Sequence, residues 1–139
     1  MPSFELAPQL QQDCHVLAES DISLLLLLDN ALYPWFLIVP KTQHTEIYQL
    51  DIAVQQQLLA QMNGLSQFID KQFKPDKLNV AAIGNVVSQL HIHHIARFKT
   101  DDCWPGVVWG QCQQQSYQKA QVDTIRLACE GALSSWWQF

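Results

Sequence analysis

Short apolar runs separated by turn residues open the chain and predict β-strands. The first run extends from His15 to Ala18, and the second extends from Ile22 to Leu28 and ends at the turn pair Asp29–Asn30. A third run, Trp35 to Val39, stops at Pro40. Two apolar runs joined by a short polar turn are typical of a hairpin, so we expect the second and third strands to pair antiparallel.

A helical repeat of apolar residues follows the third strand. It begins after Asp51, a residue type that caps helices, and continues to about Phe73. Its apolar residues recur three and four positions apart, which predicts one buried stripe. The stripe comprises Ile52, Leu58, Leu59, Met62, Leu65 and Ile69. Gly64 lies inside this helix, where glycine lowers helix stability.

The second half of the chain again alternates strand patterns with a helical pattern. The expected elements are strands over Leu78–Ile83 and Leu90–Phe98, a short turn at Gly84–Asn85, a loop over Thr100–Gly110 and a helix over Tyr117–Ala132. A shorter helix is expected near residues 4–12. Hairpin-length connections favour an antiparallel sheet of about five strands with helices on one side, an α+β fold. Because no repeat or linker is present, we interpret residues 1–139 as one domain.

Composition and charge restrict the class of ligand and the compartment. The net charge of −5 lacks the basic surface that a nucleic-acid polymer needs, whereas a small phosphate compound needs only a few local donors. The longest apolar run, Leu24–Leu28, is too short for a membrane span, and no signal peptide precedes it, so we expect a cytoplasmic protein. Cys14, Cys103, Cys112 and Cys129 lack C-x-x-C spacing and are interpreted as reduced thiols.

The chemistry-bearing residues cluster in the last predicted strand. His91, His93 and His94 are three of the five histidines in the chain. Alternate residues of a strand share a face, so Gln89, His91 and His93 should lie together while His94 faces the core. Such a row suits a phosphate, because one ring nitrogen can attack phosphorus while neighbouring groups hold the oxygens. Imidazole is nucleophilic when it is neutral near pH 7.

This row resembles the motif of the histidine-triad (HIT) superfamily, His-φ-His-φ-His-φ-φ, where φ is apolar. The matching segment is QLHIHHI at residues 89–95, and the upstream run FLIVPKTQH at 36–44 is similar to the family's other signature. Two linked signatures in the right order make the resemblance specific from about Cys14 to Arg97. The resemblance implies a HIT-like fold with one long helix and a C-terminal helix, a homodimer, and chemistry that requires no metal or cofactor.

The resemblance also implies catalytic roles. His91, at the middle position, is the nucleophile that attacks the α-phosphorus of a nucleotide, and water or another acceptor resolves the nucleotidyl-histidine. His93 holds phosphoryl oxygens, and His44 orients the row from a neighbouring turn. Gln89 replaces the first histidine of the motif; its amide can donate and accept hydrogen bonds but cannot carry a proton.

Three further residues are assigned to nucleotide binding by the same resemblance. Asp29 lies near the position of an acidic residue that binds the ribose, and Asn85 lies near that of an amide that reaches the phosphate. Trp35 stands where several branches of the superfamily have another histidine, and it is expected to form a wall of the pocket. The expected substrate is a purine nucleotide in a phosphoramidate, a dinucleoside polyphosphate or a nucleotide ester.

Two other interpretations stay open at this point. Because Gln89, His94 and Trp35 depart from the usual pattern, the chain could be a nucleotide-binding module with little catalytic activity. The aromatic residues of the last third either pack on the sheet or form a subunit interface; they are Trp104, Trp109, Trp136 and Trp137. Arg97 and Lys99 are expected to end a strand in water. A metal site at the histidines is not expected, because no cysteine or carboxylate lies close in sequence to complete it.

Overall fold

The computed structural model describes residues 3–111 and 113–139. Its strands are β1 (Cys14–Glu19), β2 (Ser23–Leu28), β3 (Trp35–Pro40), β4 (Lys77–Ala82) and β5 (Ile92–Arg97). Its helices are α1 (Pro8–Asp13), α2 (Ile52–Phe73) and α3 (Lys119–Leu133), and a 3₁₀ turn covers Ile47–Gln49. The five strands form one sheet in the order β1-β2-β3-β5-β4.

The sheet confirms the predicted α+β fold, because all neighbouring strands pair antiparallel. The predicted hairpin of β2 and β3 forms, with Leu26 opposite Leu37. The connection between β4 and β5 differs from the prediction. It runs over residues 83–91 instead of turning sharply at Gly84–Asn85, so β5 begins at Ile92 and not at Leu90.

Both faces of the sheet are covered, which explains why β3 and β5 are buried at every position. Helices α2 and α3 pack on one face, where Phe36, Ile38 and Ile92 join the core. The opposite face carries Trp35 and Ile95, and it is covered by α1, the residues before α1 and the loop around residue 108. The sequence suggested that the helices lie on one side of the sheet, but α1 lies on the face opposite α2 and α3.

The buried stripe of α2 is narrower than predicted. Leu58, Leu65 and Ile69 are buried as expected, but Ile52 is 68% exposed and Leu59 is 55% exposed. Leu58, Leu65 and Ile69 lie seven and four residues apart, close to whole helical turns, whereas Leu59 is rotated by about 100° from Leu58. A spacing of three or four residues therefore does not by itself place Ile52 and Leu59 on the buried face of α2.

The sequence suggested that Arg97 ends a strand in water, but its side chain is buried and only 2% exposed. Its guanidinium donates to the two carboxylate oxygens of Asp101 at 2.9 and 3.0 Å. It also donates to the Asn79 side chain at 2.9 Å and to the Gly106 carbonyl at 2.8 Å. These bonds fasten the loop that follows β5 onto the sheet, and the Arg97 hydrogen bonds hold the pKa of Asp101 below its usual value although burial opposes them.

The glycine inside α2 has a packing reason that the sequence did not show. A Cβ atom at Gly64 would lie 2.4 Å from Nε1 of Trp136 and 2.9 Å from its Cδ1. The indole of Trp136 therefore occupies the space of the missing side chain. The next residue, Trp137, is buried in the core and donates from Nε1 to the Ser23 hydroxyl at 3.0 Å. The C-terminal segment thus packs against its own chain.

The close approach of Trp136 predicts opposite effects at two helical glycines. Gly64→Ala should lower the free energy of unfolding by about 1–3 kcal/mol, because the indole must move. Gly131→Ala is the matched control: its Cβ would meet nothing within 4 Å, so it should stabilise by about 0.5–1 kcal/mol. Urea unfolding measures both. In a Trp136→Ala background, Gly64→Ala should become stabilising; a persistent loss there would contradict this explanation.

His94 faces the helix side of the sheet, as the strand alternation predicted, since it has the same parity as Ile92 and Ala96. It is fully buried, its Nδ1 lies 3.3 Å from the Ile92 carbonyl, and its Nε2 has no hydrogen-bond partner. Burial lowers the pKa of His94 to about 4, against a smaller opposing effect of the Ile92 carbonyl. The folded protein therefore holds this ring neutral.

This buried ring predicts a pH-dependent part of the stability. Burial lowers the pKa of His94 from its usual value of about 6.5 to about 4. Between pH 6.5 and pH 4, His94 therefore binds a proton in the unfolded chain but not in the folded protein, so the free energy of unfolding decreases as the pH falls. His94→Leu should reduce this slope by up to about 1.4 kcal/mol per pH unit. Urea unfolding from pH 7 to pH 4 tests it, and an unchanged slope in the variant would refute it.

Candidate active site

The structure brings His91 and His93 together on the sheet face opposite α2. His93 lies in β5 across from Leu37 of β3, and His91 is the last residue of the connection before β5. Their ring centroids are 5.0 Å apart, at an interplanar angle of 72°. Both are buried within the chain, with 7% of His91 and 8% of His93 exposed. Two imidazoles therefore share one poorly hydrated site.

A backbone carbonyl fixes the tautomer of His91. Nδ1 of His91 lies 2.6 Å from the carbonyl oxygen of Gln89. A carbonyl oxygen can only accept, so Nδ1 carries the hydrogen and donates it. The other ring nitrogen, Nε2, then has a free lone pair, which is the form of imidazole that attacks an electrophile.

An indole fixes the tautomer of His93 in the opposite sense. Nε1 of Trp35 donates to Nδ1 of His93 at 2.9 Å. Since Nδ1 accepts, the hydrogen of neutral His93 is on Nε2. Burial, followed by the proximity of His91 and His94, lowers the pKa of His93 to about 3. The site therefore holds one imidazole with a free Nε2 lone pair beside another that presents an Nε2–H group.

A second indole completes an aromatic cluster around this pair. The Trp109 ring lies 5.4 Å from His93 and 6.0 Å from Trp35, measured between centroids. Its Nε1–H is buried and has no hydrogen-bond partner among residues 3–111 and 113–139. Leaving such a donor unsatisfied costs about 1–3 kcal/mol, so an acceptor on a ligand would bind there favourably. Sequence reasoning considered Trp109 only for packing or an interface, because its loop has no periodicity that assigns a face.

The Gln89 side chain is engaged away from the imidazoles. Its Oε1 accepts from the Ala7 backbone N–H at 2.8 Å, and its Nε2 donates to the Glu5 carbonyl at 2.9 Å. The amide thus holds the segment that precedes α1, whose Leu6 packs with Trp35 in the cluster on this face. One amide N–H and one oxygen lone pair are used in these bonds, and the second N–H is left for any contact with phosphate oxygens.

The remaining predicted site residues are not joined to the histidine pair by a hydrogen bond or ring contact within the described residues. His44 is exposed, and its backbone N–H bonds to the Thr42 hydroxyl at 3.1 Å. Asn85 is exposed on the connection before β5 and follows Gly84, whose φ of 72° favours glycine. Both lie in turns, whose course alternation does not determine.

Asp29 belongs to a separate polar cluster at the end of β2. Its Oδ1 accepts from the Tyr117 backbone N–H at 2.9 Å and lies 3.0 Å from His15 Nε2. Burial alone would raise the pKa of this carboxyl, but the hydrogen bonds from Tyr117, His15 and Ser116 lower it. Asp29 is therefore an ionised acceptor near neutral pH.

A cavity of about 310 Å³ lies beside Trp35 and the end of β2. Its walls include Leu28, Asn30, Trp35, Gln111 and Gln113. Trp35 thus borders both the cavity and His93. Within residues 3–111 and 113–139, no group of three or more His, Cys, Asp and Glu side chains is placed to hold a metal ion. In the same ranges, no helix has the length and apolar character needed to cross a membrane.

Known proteins share both the sequence pattern and the fold. Residues 9–100 match the HIT domain family. The structure of a histidine triad protein from Marinobacter aquaeolei VT8 has 38% identity and a TM-score of 0.91, over 96% of this chain and 98% of that one. The histidine triad protein blr8122 from Bradyrhizobium japonicum has 35% identity and a TM-score of 0.91, over 95% and 99%.

A histidine triad protein from Sinorhizobium meliloti 1021 is similar at 28% identity, with a TM-score of 0.90 over 94% of this chain and 97% of that one. No curated protein matches the chain. The family match spans β1 to β5 and includes both imidazoles of the candidate site. Sequence motif, fold and full-length relatives agree, and the chain belongs to the HIT domain family.

Proposed function

We propose that this protein is a nucleotide-phosphate hydrolase or nucleotidyl transferase that works through a covalent nucleotidyl-His91 intermediate. One observation carries the proposal: the Gln89 carbonyl accepts a hydrogen bond from Nδ1–H of His91, so the lone pair of the neutral ring is on Nε2. A neutral His93 with hydrogen on Nε2 stands beside it. A lone pair next to a neutral donor suits attack on phosphorus, where the attacking atom must be unprotonated and the oxygens must be held.

In the first step, the lone pair on His91 Nε2 forms a bond to the α-phosphorus, and the bond from phosphorus to the leaving group breaks. The leaving group takes the electron pair of that bond and a proton from solvent. The His91 ring becomes positively charged, and its Nδ1–H bond to the Gln89 carbonyl becomes charge-assisted and stronger. In the second step, water or another acceptor forms a bond to phosphorus and loses a proton to solvent, and the electrons of the broken N–P bond return to Nε2.

The neighbours of His91 suit the negative charge of the phosphoryl oxygens. His93 supplies a donor that burial keeps neutral, and Trp109 supplies a buried N–H with no other partner. Such fixed donors act strongly in a site that excludes water, because they need no reorganisation during the reaction. Gln89 contributes through its carbonyl in this proposal, while its side chain braces the segment before α1.

The nucleoside is proposed to occupy the cavity beside Trp35. Its volume of about 310 Å³ is at the lower end of the range of small-molecule sites. Asp29, ionised nearby, would accept a ribose hydroxyl, and Trp35 would form a wall of the pocket. His44 remains a proposed contact to the histidine row, and Asn85 remains a proposed contact to the phosphate. Both residues lie in turns, which a bound substrate would have to contact.

The finer assignments are part of the same proposal. They are a purine nucleotide joined to an amine, a second nucleotide or an ester group, a homodimer and a cytoplasmic location. The alternative is a nucleotide-binding module with little activity. The near-complete burial of both imidazoles favours that alternative, because a substrate must reach His91 through the residues that cover it.

The proposed intermediate predicts a specific covalent label. Wild-type protein mixed with adenosine phosphoramidate and quenched within one turnover should gain the mass of one adenylyl group on the peptide that contains His91. His91→Ala should lose the label, and kcat/KM should fall by about three orders of magnitude or more. His91→Gly with added imidazole should regain part of the turnover, because the free imidazole replaces only the nucleophile.

Each failure has a distinct meaning. A label on another residue, or turnover in His91→Ala within a few-fold of wild type, would refute His91 as the nucleophile. The binding-module alternative requires calorimetric binding of AMP to wild type without turnover of any substrate in a panel of phosphoramidates, dinucleoside polyphosphates and nucleotide esters. The Trp104→Phe variant is the control for protein handling, since Trp104 stacks on Arg97 and makes no contact with His91 or His93.

A further inference from the structure

We propose that Trp35 is a positioning residue that locks His93 in one neutral tautomer, with hydrogen on Nε2, and excludes its cationic form. The geometry of the Trp35–His93 hydrogen bond carries this inference on its own. Its catalytic consequence rests on the proposed function, in which His93 donates from Nε2 to phosphoryl oxygens.

The bond joins Nε1 of Trp35 to Nδ1 of His93 at 2.9 Å, and both side chains are 8% exposed. The indole nitrogen carries a hydrogen at all ordinary pH values and has no lone pair to offer, so it can only donate. Trp35 lies opposite Ile95 in the register of β3 and β5, one diagonal step from His93. The two strands therefore hold both rings in place.

A hydrogen on His93 Nδ1 is incompatible with this contact. Two N–H groups would then point at each other across 2.9 Å, and the buried indole hydrogen would lose its acceptor. The Nδ1–H tautomer and the imidazolium both carry that hydrogen, so both are excluded while Trp35 stays in place. An imidazole at this strand position would impose no such restriction, because it can either donate or accept.

The surroundings of His93 act in the same direction. The titratable groups that influence it are His91 and His94 on the same stretch of chain. The aromatic side chains that contact it from other elements, Trp35 of β3 and Trp109 of the loop after β5, carry no charge. The residues opposite it in β3 and β4, Leu37 and Ala81, are apolar. No described carboxylate contacts the ring to stabilise a positive charge. With burial and these neighbours, the pKa of His93 is about 3.

The lock removes one ionisation from the reaction. With His93 fixed as a neutral donor, no ionisation of His93 should contribute to the acid limb of the pH profile of kcat/KM. His93 would neither supply a proton to the leaving group nor repel a cationic substrate group at mildly acid pH. His93 therefore acts as a fixed hydrogen-bond donor and not as an acid or base.

Trp35→Phe tests the lock because it keeps a large ring and removes only the N–H donor. Two-bond ¹H–¹⁵N correlation spectra report the tautomer and protonation of each histidine, and His93→Gln assigns the His93 signals. Wild-type His93 should show the Nε2–H tautomer without titration between about pH 8 and pH 5. In Trp35→Phe, His93 should show a mixture of the two neutral tautomers, because the donor that selects one of them is gone while the burial that keeps the ring neutral remains. Trp104→Phe, the same substitution away from the site, should leave the His93 signals unchanged.

The results separate this inference from the proposed function. An Nδ1–H tautomer in wild type, or an unchanged tautomer and titration in Trp35→Phe, would overturn the lock whether or not the protein is an enzyme. If Trp35→Phe does not fold, the wild-type spectrum alone still decides the tautomer. With adenosine phosphoramidate, Trp35→Phe should lower kcat/KM in proportion to the fraction of His93 that loses the Nε2–H tautomer; expected spectra without turnover would refute the enzyme and leave the lock standing.

Discussion

Burial of the central strands on both faces is the constraint on which the rest of this structure depends. Because β5 is covered by α2 on one side and by α1 and a loop on the other, each of its side chains must suit a dry environment. Alternation then gives consecutive histidines different surroundings. His93 meets Trp35 and Trp109, whereas His94 lies on the helix side.

Hydrogen bonds to groups that can only donate or only accept then determine which ring nitrogens of His91 and His93 carry hydrogen. The carbonyl of Gln89 can only accept, and the indole of Trp35 can only donate. Neighbouring imidazoles of the same residue type therefore have opposite tautomers: His91 exposes a lone pair and His93 an N–H. A buried carboxylate would have supported an imidazolium instead. The chemical difference between the two rings comes from these partners and not from the imidazoles themselves.

The sequence predicted those parts of the molecule that follow from local periodicity. The positions of the strands along the chain, the long helix and the shared side of His91 and His93 depend on alternation and helical repeat, which neighbouring residues determine. Arg97 was misjudged because its partners, Asp101 and Gly106, are reached through a loop with no repeating pattern. The place of Trp109 beside the histidine pair was not predicted for the same reason. Gly64 was read as a flaw because the tertiary contact that requires it comes from a residue far along the chain.

The glutamine at the first motif position satisfies the backbone of the segment before α1. Residues 5 and 7 cross this face as extended backbone, and they need one acceptor and one donor to replace water. A primary amide supplies both from one flat group, with its oxygen on the Ala7 N–H and its nitrogen on the Glu5 carbonyl. The same residue presents its main-chain oxygen to His91. Gln89 therefore contacts the covering segment through its side chain and the proposed nucleophile, His91, through its main-chain oxygen, so one residue holds that segment and sets the tautomer of the ring.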